Sequence, residues 1–194
     1  MSGHDGNLNA AAPQPLRFIL DAIDTLGRLD GWLGAGCLVA LTLLMLAEVA
    51  VRALSNVFPW VPADIPVAWE YSSYLMAACF TFGAAMTLRA GGHIRVTLVL
   101  GRLGPGARRL MEGCCALIAA GFTGFLAIAM VRFAYGAWER GETSISSDTP
   151  LWFPQAVIAF GMALLALQFL ARTIQCALGM AIEDPSMKVA SVSE

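Results

Sequence analysis

Residues 87–109 read Thr87-Leu-Arg-Ala-Gly-Gly-His-Ile-Arg-Val-Thr-Leu-Val-Leu-Gly-Arg-Leu-Gly-Pro-Gly-Ala-Arg-Arg109. This basic knot carries Arg89, Arg95, Arg102, Arg108 and Arg109 and no carboxylate. Gly91-Gly92 and Gly104-Pro105-Gly106 interrupt it and leave room for a short surface helix over 94–103. On either side lie long runs almost without charge. About 20 apolar residues in a helix cross the hydrocarbon of a bilayer, and the chain supplies four such runs. The knot therefore divides one small membrane domain into two halves and decides which way up it sits.

Composition agrees. Of 194 residues, 58% are hydrophobic and 13% charged, with mean hydropathy +0.68. A soluble domain carries about 25% charge. The expected fold is an all-α membrane protein with four transmembrane helices, at about 31–54, 67–88, 110–135 and 151–172, within a membrane domain over 30–178. Residues 1–15 are polar and Pro-containing and read as a disordered tail; 179–194 read as a flexible one. Between 16 and 29, apolar residues recur at Leu16, Ile19, Leu20, Ile23, Leu26 and Leu29, with Arg17, Asp21, Asp24 and Arg28 elsewhere on the wheel. That pattern gives a short amphipathic helix lying in the membrane interface. A simple extension of the first span is the alternative.

Short loops rich in Lys and Arg remain in the cytoplasm. The loop over 55–66 has neither, and the loop over 136–150 has only Arg140. Both termini and the knot are therefore expected inside. Trp60, Trp69, Trp138 and Trp152 then fall at the outer boundary, where aromatic rings settle. This arrangement also sets the depth of the charges. Glu48 and Arg52, four residues apart, share one face of the first helix. Trp69 and Glu70 open the second. A cluster of Glu48, Arg52 and Glu70 is expected in the outer leaflet, with Arg132 at similar depth, serving as a partner interface. Charges in lipid cost several kcal/mol unless they face protein and pair. Two acids beside one or two arginines are nearly balanced, which suits a structural clamp; an ion or substrate path is the other reading.

The spans have no internal proline, whereas transporter sites are commonly built from broken helices. Ala116, Ala120 and Gly124 form a small-residue stripe suited to close helix approach. The histidines are His4 and His93 alone, too few within the runs for a haem pair. No phosphate loop appears. The five cysteines lack metal-site spacing and read as small apolar residues. Neither a cofactor, a metal, an enzymatic activity nor a nucleic-acid partner is expected.

Several of these residues resemble the small membrane subunit (DctQ family) of tripartite ATP-independent periplasmic (TRAP) transporters. The matching features are Glu48-x-x-x-Arg52, Trp69-Glu70, Phe82-Gly83-Ala84-Ala85, the cytoplasmic loop motif Arg89-x-Gly91-x-His93-Ile94-Arg95-Val96, and Pro150-Leu-Trp-Phe-Pro154. Tyr71-Ser72-Ser73 departs from the family pattern. The resemblance covers about 31–172. It implies a multi-pass protein of the bacterial inner membrane, in contact with membrane lipids. It would scaffold a large DctM-type permease that holds the transport site and sodium coupling. A periplasmic solute-binding protein would select an organic acid for symport. The rival readings are a self-contained ion-coupled carrier using Glu48 or Glu70, and a membrane anchor for a redox complex.

Orientation is directly testable. A reporter that is active only outside the membrane, fused after Gly104, is expected to be silent; activity there inverts the topology.

Overall fold

A computed structural model of the chain describes residues 13–89 and 104–180. Four helices account for most of them: α1 Gln14–Ser55, α2 Ala68–Arg89, α3 Pro105–Arg140 and α4 Trp152–Ala177. The tails before 13 and after 180, and the 94–103 helix expected in the knot, lie outside the described residues.

The first difference from expectation is in α1. Residues 16–29 do not form a separate interfacial helix but the N-terminal part of one helix of 42 residues. Pro13 caps it and Pro15 falls in its first turn, where a missing amide hydrogen costs nothing. At 1.5 Å per residue the helix is about 63 Å long, roughly twice the hydrocarbon thickness. Gly27, Gly31 and Gly34 could have ended it, but all three are buried on one face together with Leu20, Asp30 and Glu48. The spacing of three to four residues makes this a single packing seam rather than a set of breaks. The helix stops after Arg52 in its last turn, where the amides of Val57 and Phe58 both return to the Leu54 carbonyl. Pro59, Pro62 and Pro66 prevent its continuation.

The helices pair as two antiparallel hairpins. In the first, Gly34 of α1 lies against Gly83 of α2, so close that a Cβ on Gly34 would stand 2.9 Å from the Gly83 backbone nitrogen. In the second, α3 lies along α4, with Gly113 beside Cys176 at one end and the Trp138 and Trp152 rings 5.2 Å apart at the other. α4 joins the hairpins, because it also packs on α2 and α1. A Cβ on Gly161 would stand 2.7 Å from the Thr81 hydroxyl. The buried Arg172 donates to the Leu88 carbonyl at 2.9 Å, supplying a partner near the end of α2. Gln168, also buried, donates to the Ile23 carbonyl of α1, and Leu20 packs with Ala171 and Met180. The N-terminal third of α1 is thus held on the bundle by α4.

The expected stripe on α3 is present with one substitution. Ala116 and Ala120 are buried, but the seam continues through Thr123, Ala127, Ala134 and Ala137. Gly124 is turned aside, with nothing within 4 Å of where its Cβ would be. The buried positions step by three, four or seven, close to the 3.5-residue period of two helices lying at a shallow angle. Large apolar side chains clothe the outside instead, among them Leu43, Leu46, Phe122 and Phe125. This inverts the pattern of a water-soluble domain. By length and composition α1, α3 and α4 can cross a membrane. α2 falls short of that standard, being diluted by Glu70, Ser72, Ser73, Thr81 and Thr87.

Gly34→Ala is expected to destabilise the α1–α2 hairpin by about 1–3 kcal/mol through overpacking. Gly124→Ala should stay within about 0.5 kcal/mol of the parent. Thermal unfolding in detergent measures both, and equal effects would contradict this packing.

Candidate functional site

The charges expected in one cluster occupy three separate settings. The first is on α1. Glu48 is buried, and each of its oxygens is used: Oε1 accepts from the Arg52 guanidinium at 2.9 Å, and Oε2 accepts the Ile65 amide at 2.8 Å. The carboxylate therefore ties the turn before α2 back onto the end of α1. Arg52 itself is largely exposed, and it sits in the last helical turn, where a cation suits the helix dipole.

Glu70 forms the second setting and does not join the first. Its Oε1 accepts the Tyr74 hydroxyl at 2.7 Å and the Ser147 hydroxyl at 3.1 Å. The reason lies in helix geometry. Glu70 precedes Thr81 by eleven residues, close to three full turns, and so shares the face that Thr81 presents to α4. Gly83, which meets α1, lies on a different face. Glu70 thus meets the loop that leads into α4. As an acid in the first turn of α2 it also suits the positive end of that helix. Trp69, beside it, is 77% exposed and takes part in neither setting.

That loop is folded, although polarity is the one pattern its residues display. Gly141 closes α3 in the left-handed conformation, at φ 61°, and its amide reaches the Ala137 and Trp138 carbonyls. Thr143 bridges Pro150, the Ser144 amide donates to Thr149 O, and the Leu151 amide donates to Glu142 O. The Tyr71 hydroxyl meets Thr149 Oγ1 at 2.9 Å, and Ser147 donates to the same oxygen at 2.7 Å. Arg140 donates to Glu142 at 2.6 Å and holds that carboxyl below the usual carboxylate range. Ile145, at the far side of this fold, is fully exposed.

Arg132 is the third setting. It lies on the exposed flank of α3, away from the alanine seam, and is drawn into neither carboxylate. Of the loop motif, Arg89 is the last residue of α2, while Gly91, His93 and Arg95 lie outside the described residues.

Asp30 was not anticipated. It is 1% exposed, and neither carboxylate oxygen has a hydrogen-bond partner. The sequence did hold a signal: Asp30 sits among Gly27, Gly31 and Gly34, on a small-residue face where any side chain is enclosed. The cysteines differ from one another. Only Cys176 is buried, and Cys114 and Cys115 are exposed on α3. Among the described residues no group of His, Cys, Asp and Glu is arranged to hold a metal ion. The chemistry available is therefore that of ties between segments.

Removing the acceptor in Glu70→Ala should cost the loop about 1.5–3 kcal/mol, the scale of a hydrogen bond to a charged group. Amide exchange over 144–149 should rise by about tenfold or more. Glu48→Ala should do the same at the Ile65 amide. Arg52→Ala, which leaves that bond in place, should cost about 1 kcal/mol or less. Unchanged exchange in Glu70→Ala would show that the loop is held by something else.

Residues 41–179 match the family model described as tripartite ATP-independent periplasmic transporters, DctQ component. Over 89 residues the chain is 30% identical to the C4-dicarboxylate TRAP transporter small permease protein DctQ of Rhodobacter capsulatus. That match takes in 46% of this chain and 39% of the relative, so well under half of the relative's length is spanned. No solved structure matches. The matched region runs from the middle of α1 through α4 and contains Glu48, Arg52, Glu70 and Arg132, and on it the chain belongs to the DctQ component family of TRAP transporters.

Proposed function

We propose that this chain is the non-enzymatic scaffold of a TRAP-type importer in the bacterial inner membrane, holding a large DctM-type permease subunit. In this reading α2 crosses the membrane as the fourth span. Both termini and the basic knot face the cytoplasm, and the 141–151 loop faces the periplasm. A solute-binding protein delivers an organic acid, and sodium coupling resides in the large subunit. The relative's printed name attaches it to C4-dicarboxylates, and organic-acid uptake is carried to this chain from there.

The observation that carries the proposal is how Glu48 and Glu70, the acids of the rival carrier reading, are used. A coupling acid has to be free to exchange an ion or proton. Glu48 has both oxygens committed to Arg52 and Ile65, whereas Glu70 has Oε1 engaged by Tyr74 and Ser147 and Oε2 buried without a hydrogen-bond partner. The described helices are also continuous, with no unwound segment at mid-length to form a pocket. A self-contained carrier built on Glu48 gains nothing from this geometry. The folded outer loop, with Ile145 presented at its surface, supports a part in receiving the solute-binding protein.

Reconstitution separates these readings. In liposomes with a sodium gradient, the chain alone should take up no organic acid. With the large subunit and the loaded binding protein, uptake should appear, and it should vanish when this chain is left out. Uptake by the chain alone would defeat the scaffold reading.

A further inference from the structure

Within its apolar stretch, α3 carries a charge, Arg132, that no described residue answers. Arg132 lies eight residues before Arg140, the last residue of the helix, or about 12 Å deeper along its axis. Arg140 is answered by Glu142, and its guanidinium folds back over Gly136, where a Cβ would stand 2.9 Å from Nη1. Arg132 is exposed and makes no hydrogen bond or ion pair among the described residues. Its neighbours along the flank are apolar and also exposed: Phe125, Ile128 and Tyr135 are 67%, 57% and 62% accessible. These four residues are spaced by three, four and three, so they form one stripe down α3. The stripe lies opposite the alanine seam that packs on α4, and neither α1 nor α2 packs extensively on this helix.

α3 is long and apolar enough to cross a membrane. A guanidinium on its flank, below the Trp138–Trp152 pair, would face hydrocarbon, which such a group avoids by pairing. Two anions could answer it, a lipid phosphate or a carboxylate from another protein. Side chains on a helix lean toward its N-terminus. The N-terminus of α3 is at the end opposite the tryptophans, so Arg132 leans away from the nearer headgroups and toward the middle of the membrane. That direction favours a carboxylate on a neighbouring helix.

We propose that the α3 stripe of Phe125, Ile128, Arg132 and Tyr135 is the docking face for the large permease subunit, with Arg132 paired to a carboxylate on one of that subunit's apolar helices. The inference rests on the subunit reading above and assigns the face and the chemistry. The test uses the complete complex, purified through a tag on this chain. Arg132→Gln and Arg132→Glu should lower recovery of the large subunit by at least about tenfold, as expected for breaking a desolvated charge pair, and Arg132→Lys should retain most of it. The variants should melt at the parent temperature, because Arg132 is exposed and makes no hydrogen bond or ion pair among the described residues. A lysine replacing the matching acid of the large subunit should restore capture by Arg132→Glu. Full capture by Arg132→Glu overturns this inference alone, and loss of a co-purifying phospholipid in the same variant would then assign the arginine to a headgroup. Failure of the unmodified chain to capture the large subunit overturns the subunit reading as well.

Discussion

Gly34 brings the α1 backbone against the α2 backbone at Gly83, at a distance that no side chain at position 34 permits, and the α1–α2 hairpin follows from that approach. Lipid tails are as apolar as leucine, so helices in a membrane gain little from burying leucine against leucine. They gain from close contact, and close contact requires small residues where the helices cross. The same device recurs at Gly161 against Thr81 and along the alanines of α3. The large residues are displaced outward, where they meet whatever surrounds the chain. A bundle built this way is narrow where its helices cross.

The charges obey a related constraint. Each of the two acids near one end of the bundle sits where backbone dipoles and nearby donors receive it. Glu48 takes a backbone amide and a guanidinium; Glu70, in the first turn of its helix, takes two hydroxyls. Both are used to fasten connecting segments, one before α2 and one before α4. The far end is fastened differently, by buried donors of α4 reaching carbonyls of α1 and α2. α4 is therefore the member on which the fold turns, and among the described residues the hairpins meet chiefly through it. A support for a moving neighbour needs this kind of cross-tying, since a subunit that shears internally transmits no fixed position.

Several features were legible in the chain itself. Uninterrupted apolar runs, with prolines confined to their ends, dictate long helices, and the Glu48–Arg52 pairing follows from a four-residue spacing on one helix. The alanine seam on α3 was half legible. Its period was clear, but small residues crowd that helix, and only packing chose Thr123 over Gly124. The joint cluster of Glu48, Arg52, Glu70 and Arg132 was not there, because depth in the membrane is set by position along a helix whereas facing is set by rotation about it. Glu70 is turned toward α4 and Arg132 away from every other described helix.

The rods, their order and the bonds made within a single turn could all be read from the chain, because these depend on local periodicity and on the reach of adjacent side chains. The tertiary structure alone decided that α1 continues without a break through Gly31, that Asp30 is enclosed, that Glu70 pins the 141–151 loop, and that Arg132 is left on an open flank. Each of these depends on how one rod is rotated against another. Small-residue seams fix that rotation by contacts between residues far apart in the chain, and such contacts leave no periodic mark on the segment that carries only one side of them.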